Sequence, residues 1–195
     1  MKEDKKILLS QIRECFGRVA YSHKTHEKQA DILLKKGNRF KWKQIVLSVV
    51  TSGSLITSLC NFFPSLEFYL ILISTILVTI LSYINLCLKN FDYFSEAQKH
   101  HDTAVQLWDI RESYLSLIID LMSDDFTDIE YIKRRRDFLQ EKLSFIYNNE
   151  PRTTEEAYLK AQEALKFKED LTFSAKEIDM LLPTELRLNK EDKQK

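Results

Sequence analysis

The sequence predicts an all-α protein: a two-helix transmembrane hairpin joined to long cytosolic helices that form a coiled-coil-like bundle. Three observations predict it. Two charge-free runs, 23 residues between Lys43 and Glu67 and 21 between Glu67 and Lys89, are each long enough to cross a hydrocarbon core as a helix. On both sides of them apolar residues recur at three- and four-residue spacing. Only three glycines and three prolines occur in 195 residues, so a Gly-rich phosphate loop or a sheet-based nucleotide domain has nowhere to start.

Backbone groups in lipid must be satisfied within the segment, so each charge-free run reads as a spanning helix. The connector Phe63-Pro64-Ser65-Leu66-Glu67 has room only for a tight turn. The chain therefore divides into an N-terminal cytosolic arm (1–43), the hairpin (44–88), a C-terminal cytosolic helical region (89–188) and a polar tail expected to be disordered (189–195). Arg39, Lys41 and Lys43 precede the first span and Lys89 follows the second, while the tip carries only Glu67. Basic flanks stay cytoplasmic, which places both termini inside. The arm is too long and too mixed in charge for a signal-peptide n-region, so the first span is expected to be an uncleaved anchor. An alternative remains open, in which the two runs are buried core helices of a soluble bundle; the basic flanks argue against it.

Net charge is zero, but residues 1–43 hold 12 basic and 5 acidic groups and residues 89–195 hold 17 and 23. The basic arm suits anionic lipid headgroups or the acidic C-terminal part. Neither requires nucleic acid. Cys15, Cys60 and Cys87 are too scattered for a disulfide or zinc framework.

The arm places Leu8, Ile12, Cys15, Val19, His23, His26, Ala30 and Leu33 on one helix face, and Gly37-Asn38 reads as its C-cap or a bend. Beyond the second span, Phe94, Ala97, His101, Ala104, Trp108, Arg111, Leu115, Ile118 and Met122 form a seam at heptad spacing, the expected assembly surface within one chain or between chains. No breaker separates Leu88 from Phe94, so the second span is expected to run on as one rod. Capping boxes at Thr127/Glu130, Thr153/Glu156 and Ser174/Glu177 announce three further helices. The first carries Ile129, Ile132, Leu139, Leu143 and Ile146. The second carries Ala157, Tyr158, Ala161, Ala164, Leu165 and Lys168. The third is short and stops at Pro183.

The spans are polar for membrane helices. Thr51, Ser54, Ser58 and Asn61 share an arc of roughly 80°, and Ser74, Thr75, Thr79, Ser82 and Asn85 one of roughly 140°. These hydroxyls are candidates either for helix packing or for lining a water path once hairpins assemble. No ionisable residue lies within either run, which disfavours an ion-coupled transport site. His23, His26, His100 and His101 invite a metal site or pH switch between antiparallel arms, but counted back from the membrane the pairs fall at different heights unless Gly37 bends the first arm. Lys133-Arg134-Arg135-Arg136, interleaved with Glu130, Asp137 and Glu141, reads as a solvated, salt-bridged face. No nucleophile–base arrangement or apolar carboxylate pair supports an enzyme, and no cofactor is expected.

The ordered set of Ala97, His100, Ala104, Trp108 and Arg111, then Glu150-Pro151-x-Thr153 with Tyr158 and Ala161, then Glu177-Ile178-Asp179-x-Leu181-Leu182-Pro183 and Leu186-Arg187, resembles the SLATT family. These are bacterial two-membrane-helix effectors associated with SMODS nucleotidyltransferases and SLOG sensors, and the pattern is similar to the longer subfamily found beside reverse transcriptases. The resemblance covers roughly residues 8–188. It implies an inner-membrane effector of an antiphage, abortive-infection system. Such an effector oligomerises and depolarises the membrane on a signal from a neighbouring sensor such as a reverse transcriptase or nucleotidyltransferase. The rival expectation is a non-conducting scaffold docking a soluble partner.

Overall fold

A computed structural model describes residues 2–59, 67–123 and 128–183. These residues form six α-helices and no strand: α1 (Lys2–Leu59), α2 (Glu67–Asn90), α3 (Tyr93–Met122), α4 (Ile129–Asn149), α5 (Glu155–Phe167) and α6 (Ala175–Leu181). The hairpin tip and the tail lie outside the described residues.

α1 is unbroken over 58 residues and contains both the basic arm and the first apolar run. It passes straight through Gly37-Asn38, where the sequence predicted a cap or bend. The glycine has no left-handed φ. Its role is close approach: a Cβ at position 37 would stand 3.0 Å from Tyr93 Cβ and 3.1 Å from the Phe94 ring. All eight positions predicted to share a face on the arm, Leu8 to Leu33, are buried.

That face meets α3, which runs antiparallel to it. Lys5 Nζ donates to the Ser123 carbonyl at one end, His26 meets His100 midway, and Gly37 lies against Tyr93 and Phe94 near the other end. The pairing continues past Lys43, where Ser74 Oγ of α2 donates to Ser54 Oγ at 2.8 Å.

α2 and α3 are separate helices, which corrects the single rod expected from the sequence. Asp92 takes an extended conformation, and its carboxylate accepts from the backbone N–H groups of Phe94 and Ser95 at 3.0 Å. A capping carboxylate is enough to start a new helix without any glycine or proline. The buried face of α3 is also rotated from the expected seam. Ala97, His100, Thr103, Ala104, Leu107, Ile110, Arg111, Tyr114, Leu117 and Leu121 are the buried positions. His101 and Met122 are exposed, Trp108 is 39% exposed, and Phe94, Leu115 and Ile118 lie at the margin. Three predicted members, Ala97, Ala104 and Arg111, fall on the true interface.

The remaining helices start with side-chain caps. α4 begins at Asp128, whose carboxylate accepts from Tyr131 N–H; Thr127 lies outside the described residues. α5 begins one residue later than predicted, on Thr154 instead of Thr153. α6 has the predicted capping box at Ser174 and Glu177.

Leu8, Ile12, Cys15 and Val19 of α1 pack with Leu107, Ile110, Tyr114, Leu117 and Leu121 of α3 and Ile132, Leu139 and Ile146 of α4 in one core. This three-helix core occupies the end far from the apolar runs. α5 packs on α1, burying Ala157, Ala161 and Ala164, whose single methyls let the helices approach closely. Tyr158 is 47% exposed, off that stripe.

The apolar end is different. Among the described residues, the helical stretch starting at Phe68 is long and apolar enough to cross a membrane, and only 11% of its apolar window is buried within the chain. Ile45, Val46, Val49, Val50 and Ile56 of α1 are likewise exposed. Core helices of a soluble bundle would hide these side chains.

Candidate functional site

Two regions hold the polar groups that the fold places with purpose. The first lies along the apolar helices. On α2, Ser74 and Ile84 are buried and Leu77 and Leu81 half-buried, which marks the face turned to α1. From α1, Thr51 is buried and Ser54 half-buried on the matching face. Ser54, Ser74 and Thr51 therefore sit between the two helices of one chain, and Thr51 Oγ1 has no hydrogen-bond partner there among the described residues.

Thr75, Thr79, Ser82 and Asn85 are exposed. Thr75 and Ser82, with Thr79 between them in sequence, lie on the far side of α2 from α1, by the helical period. The threonine hydroxyls donate to carbonyls one turn back, Ile71 and Thr75, each at 2.9 Å. That bond satisfies the O–H in lipid but leaves the oxygen free to accept from water or a neighbouring helix. The predicted stripe is thus two surfaces, an internal one and an outward one. The Ser58 side chain and Asn61 lie outside the described residues.

The second region lies midway along the α1–α3 stalk. His26 and His100 are 2% and 3% exposed, with their Nδ1 atoms 3.0 Å apart. His26 Nε2 stands 3.3 Å from Glu150 Oε2, at the end of α4. One turn away, His23 Nδ1 meets the Ala104 carbonyl at 2.9 Å and its ring packs on Trp108 at 5.3 Å. The expectation that the histidine pairs lie at different heights is corrected: His26 and His100 touch. It took Lys43 and Lys89 as level, whereas Ser54 meets Ser74 and Gly37 meets Tyr93, so Lys89 lies opposite α1 residues a few positions before Lys43. His101 points away, exposed. Among the described residues no three His, Cys, Asp or Glu side chains converge to hold a metal.

Burial, with the charges of His100 and His23 adding to it, pushes His26 down to about 4. Burial lowers His100 as well, against a smaller opposing pull from Glu96, and raises Glu150.

Around this cluster the C-terminal helices are fastened to α1. Gln29 Oε1 accepts from Thr154 N–H at 3.0 Å and Thr154 Oγ1 at 2.7 Å. Lys24 bridges Glu27 at 3.0 Å and Asp170 at 3.1 Å. Arg111 pairs with Glu112 and spreads its guanidinium over the Trp108 ring at 4.6 Å. Lys133 and Arg136 make ion pairs with Glu130 and Asp137, and Arg136 also donates to Gln11 Oε1 of α1 at 2.9 Å.

Several of the residues that carried the family resemblance meet near this junction: Ala97, His100, Ala104 and Arg111 against α1, Glu150 on His26 and Ala161 on α1. A family model described as the SMODS and SLOG-associating 2TM effector domain, family 4, matches residues 8–177. The chain is a SLATT effector domain. No curated protein and no solved structure matches it. The SLATT match spans α1 through the first turn of α6, so the apolar helices and the helices fastened to α1 belong to one matched unit. Sequence reasoning missed Lys24 and Gln29, whose partners lie 125 or more residues away. A polar residue flanking a predicted buried face was the signal available.

Proposed function

We propose that this SLATT domain is the membrane effector of a bacterial antiphage system. It crosses the inner membrane twice, through the C-terminal part of α1 and through α2, with both termini in the cytosol. On a signal from a partner sensor, such as a neighbouring reverse transcriptase or nucleotidyltransferase, copies assemble and permeabilise the membrane. The observation that carries this reading is the outward face of α2. Thr75 and Ser82 cannot serve packing against α1, because Ser74 and Ile84 occupy that side. A hydroxyl-bearing face turned away from its own chain's partner fits contact with another copy or with water between copies.

The orientation rests on Arg39, Lys41 and Lys43 with Lys89 at one end of the apolar helices, beside exposed Trp42 at an interface depth. A scaffold function is supported by exposed Phe138 and Phe145 beside a groove between α3 and α4. Docking of a sensor there is compatible with effector function. No catalytic step is proposed.

The test replaces Thr75, Thr79 and Ser82 together with Leu and follows a membrane-potential dye after induction with the neighbouring genes. Abolished depolarisation with normal insertion is expected. Undiminished depolarisation excludes the outward face of α2. Cysteines placed at 75 and 82 should react with thiol reagents in the active state while Cys at Ile84 stays protected.

A further inference from the structure

The His26–His100 contact joins three elements at one buried point: α1, α3 and the α4–α5 junction that carries Glu150. Two imidazoles meeting Nδ1 to Nδ1 at 3.0 Å hold one proton between them, one ring donating and the other accepting. The Glu150 carboxylate opposite His26 Nε2 selects the arrangement. With the N–H of His26 on Nε2, facing Glu150, its Nδ1 is the acceptor and His100 Nδ1–H the donor. One additional proton is tolerated, since an imidazolium still donates across the contact. A second is not, because both Nδ1 atoms then carry hydrogens aimed at each other in a site closed to water.

We propose that the His26–His100 pair is an acid-sensitive latch. It holds α1, α3 and the α4–α5 junction together while a single proton lies between the rings, and it releases them when both rings become imidazolium.

The surroundings favour this direction. From α1 the charged and titratable neighbours are His23, Lys24 and Glu27, from α3 Glu96, and from the junction Glu150. Glu27 is already engaged by Lys24 at 3.0 Å, and Glu150 stands at the Nε2 edge of His26, 3.3 Å away, not at the Nδ1 contact where the two hydrogens would collide. The sign follows from linkage. Both histidines titrate below their ordinary value when the stalk is closed, so the open stalk binds more protons and closure weakens as pH falls from about 6.5. Burial raises Glu150, which works the other way, one group against two. The latch also explains why the fold keeps a polar pair where leucines would pack: a leucine pair would hold the stalk shut at every pH.

The experiment uses the full chain in lipid nanodiscs and reads amide hydrogen exchange over residues 19–33 and 97–111 at pH 7.5 and 5.0, corrected for intrinsic exchange. The readout is the stalk itself and needs no membrane current. In the native protein exchange should speed at least about tenfold at pH 5.0, the change expected from one extra proton bound over one pH unit. His100→Asn keeps a donor or acceptor at the contact without taking a proton. It should open less than the native protein across the same range, because His26 alone then takes the extra proton, and the His26→Gln/His100→Asn double variant should change less than about twofold. His26→Gln offers the same replacement from the other ring if His100→Asn fails to fold. A native stalk equally protected at both pH values overturns the latch, as does acid opening of native size in a folded His100→Asn, His26→Gln or double-variant protein.

Discussion

Gly17 and Gly37 lie in the same helix, and their surroundings assign them opposite roles. A Cβ at Gly17 meets nothing within 4 Å, so Gly17→Ala should stabilise the protein by about 0.5–1 kcal/mol through helix propensity alone. At Gly37 the same atom runs into Tyr93 and Phe94, and Gly37→Leu should cost about 1–3 kcal/mol by forcing α1 and α3 apart. Thermal unfolding in detergent, run on both variants together, checks the pair; equal effects would mean the close approach is not maintained. Ile12, fully buried between α1, α3 and α4, gives the core reference, with Ile12→Ala expected to cost about 2–5 kcal/mol. The eight face positions from Leu8 to Leu33 were readable residue by residue, because helix period is a local property. Gly37 was not, because its reason stands in Tyr93, 56 positions away in sequence.

Caps decide where each element begins, and here neighbouring polar residues compete for the role. Thr153 and Thr154 both precede α5, yet only Thr154 accepts from Ala157 N–H, and it also donates to Gln29 of α1. Thr154→Ala should therefore cost about 1–2 kcal/mol, losing a cap and a tertiary hydrogen bond, while Thr153→Ala stays within about 0.5 kcal/mol. Chemical denaturation of the two variants distinguishes them, and the reverse order would restore the start read from sequence. Asp92 is the other decisive cap. Asp92→Ala should cost about 1 kcal/mol and speed hydrogen exchange at the Phe94 and Ser95 amides, which its carboxylate now engages. In the sequence Asp92 was one acid in a helical pattern.

At the scale of the whole molecule, the chain is a stalk and an apolar pair built on the same α1. The core of α1, α3 and α4 fixes the stalk, so motion there reaches the apolar helices through a continuous rod. That continuity makes topology testable in one step. A periplasm-active reporter fused after Lys195 should be silent and the same reporter inserted at Ser65 active; a signal from the Lys195 fusion would invert the orientation argued from Arg39, Lys41, Lys43 and Lys89.

The sequence by itself determined the all-α class, the buried face of the arm, the apolar face of α4 and the capping box of α6. Each rests on period, composition or a cap within four residues, which the chain states locally. Tertiary structure alone decided which face of α2 turns outward, which histidines meet, and how Gln29 and Lys24 fasten α5 and the loop after it. These are relations between α1 and residues 74–170, set by how antiparallel helices slide until small residues and caps allow contact. Spacing along one helix cannot express that sliding register. His100, rather than its neighbour His101, reaches His26 because it falls on the face of α3 that packs on α1.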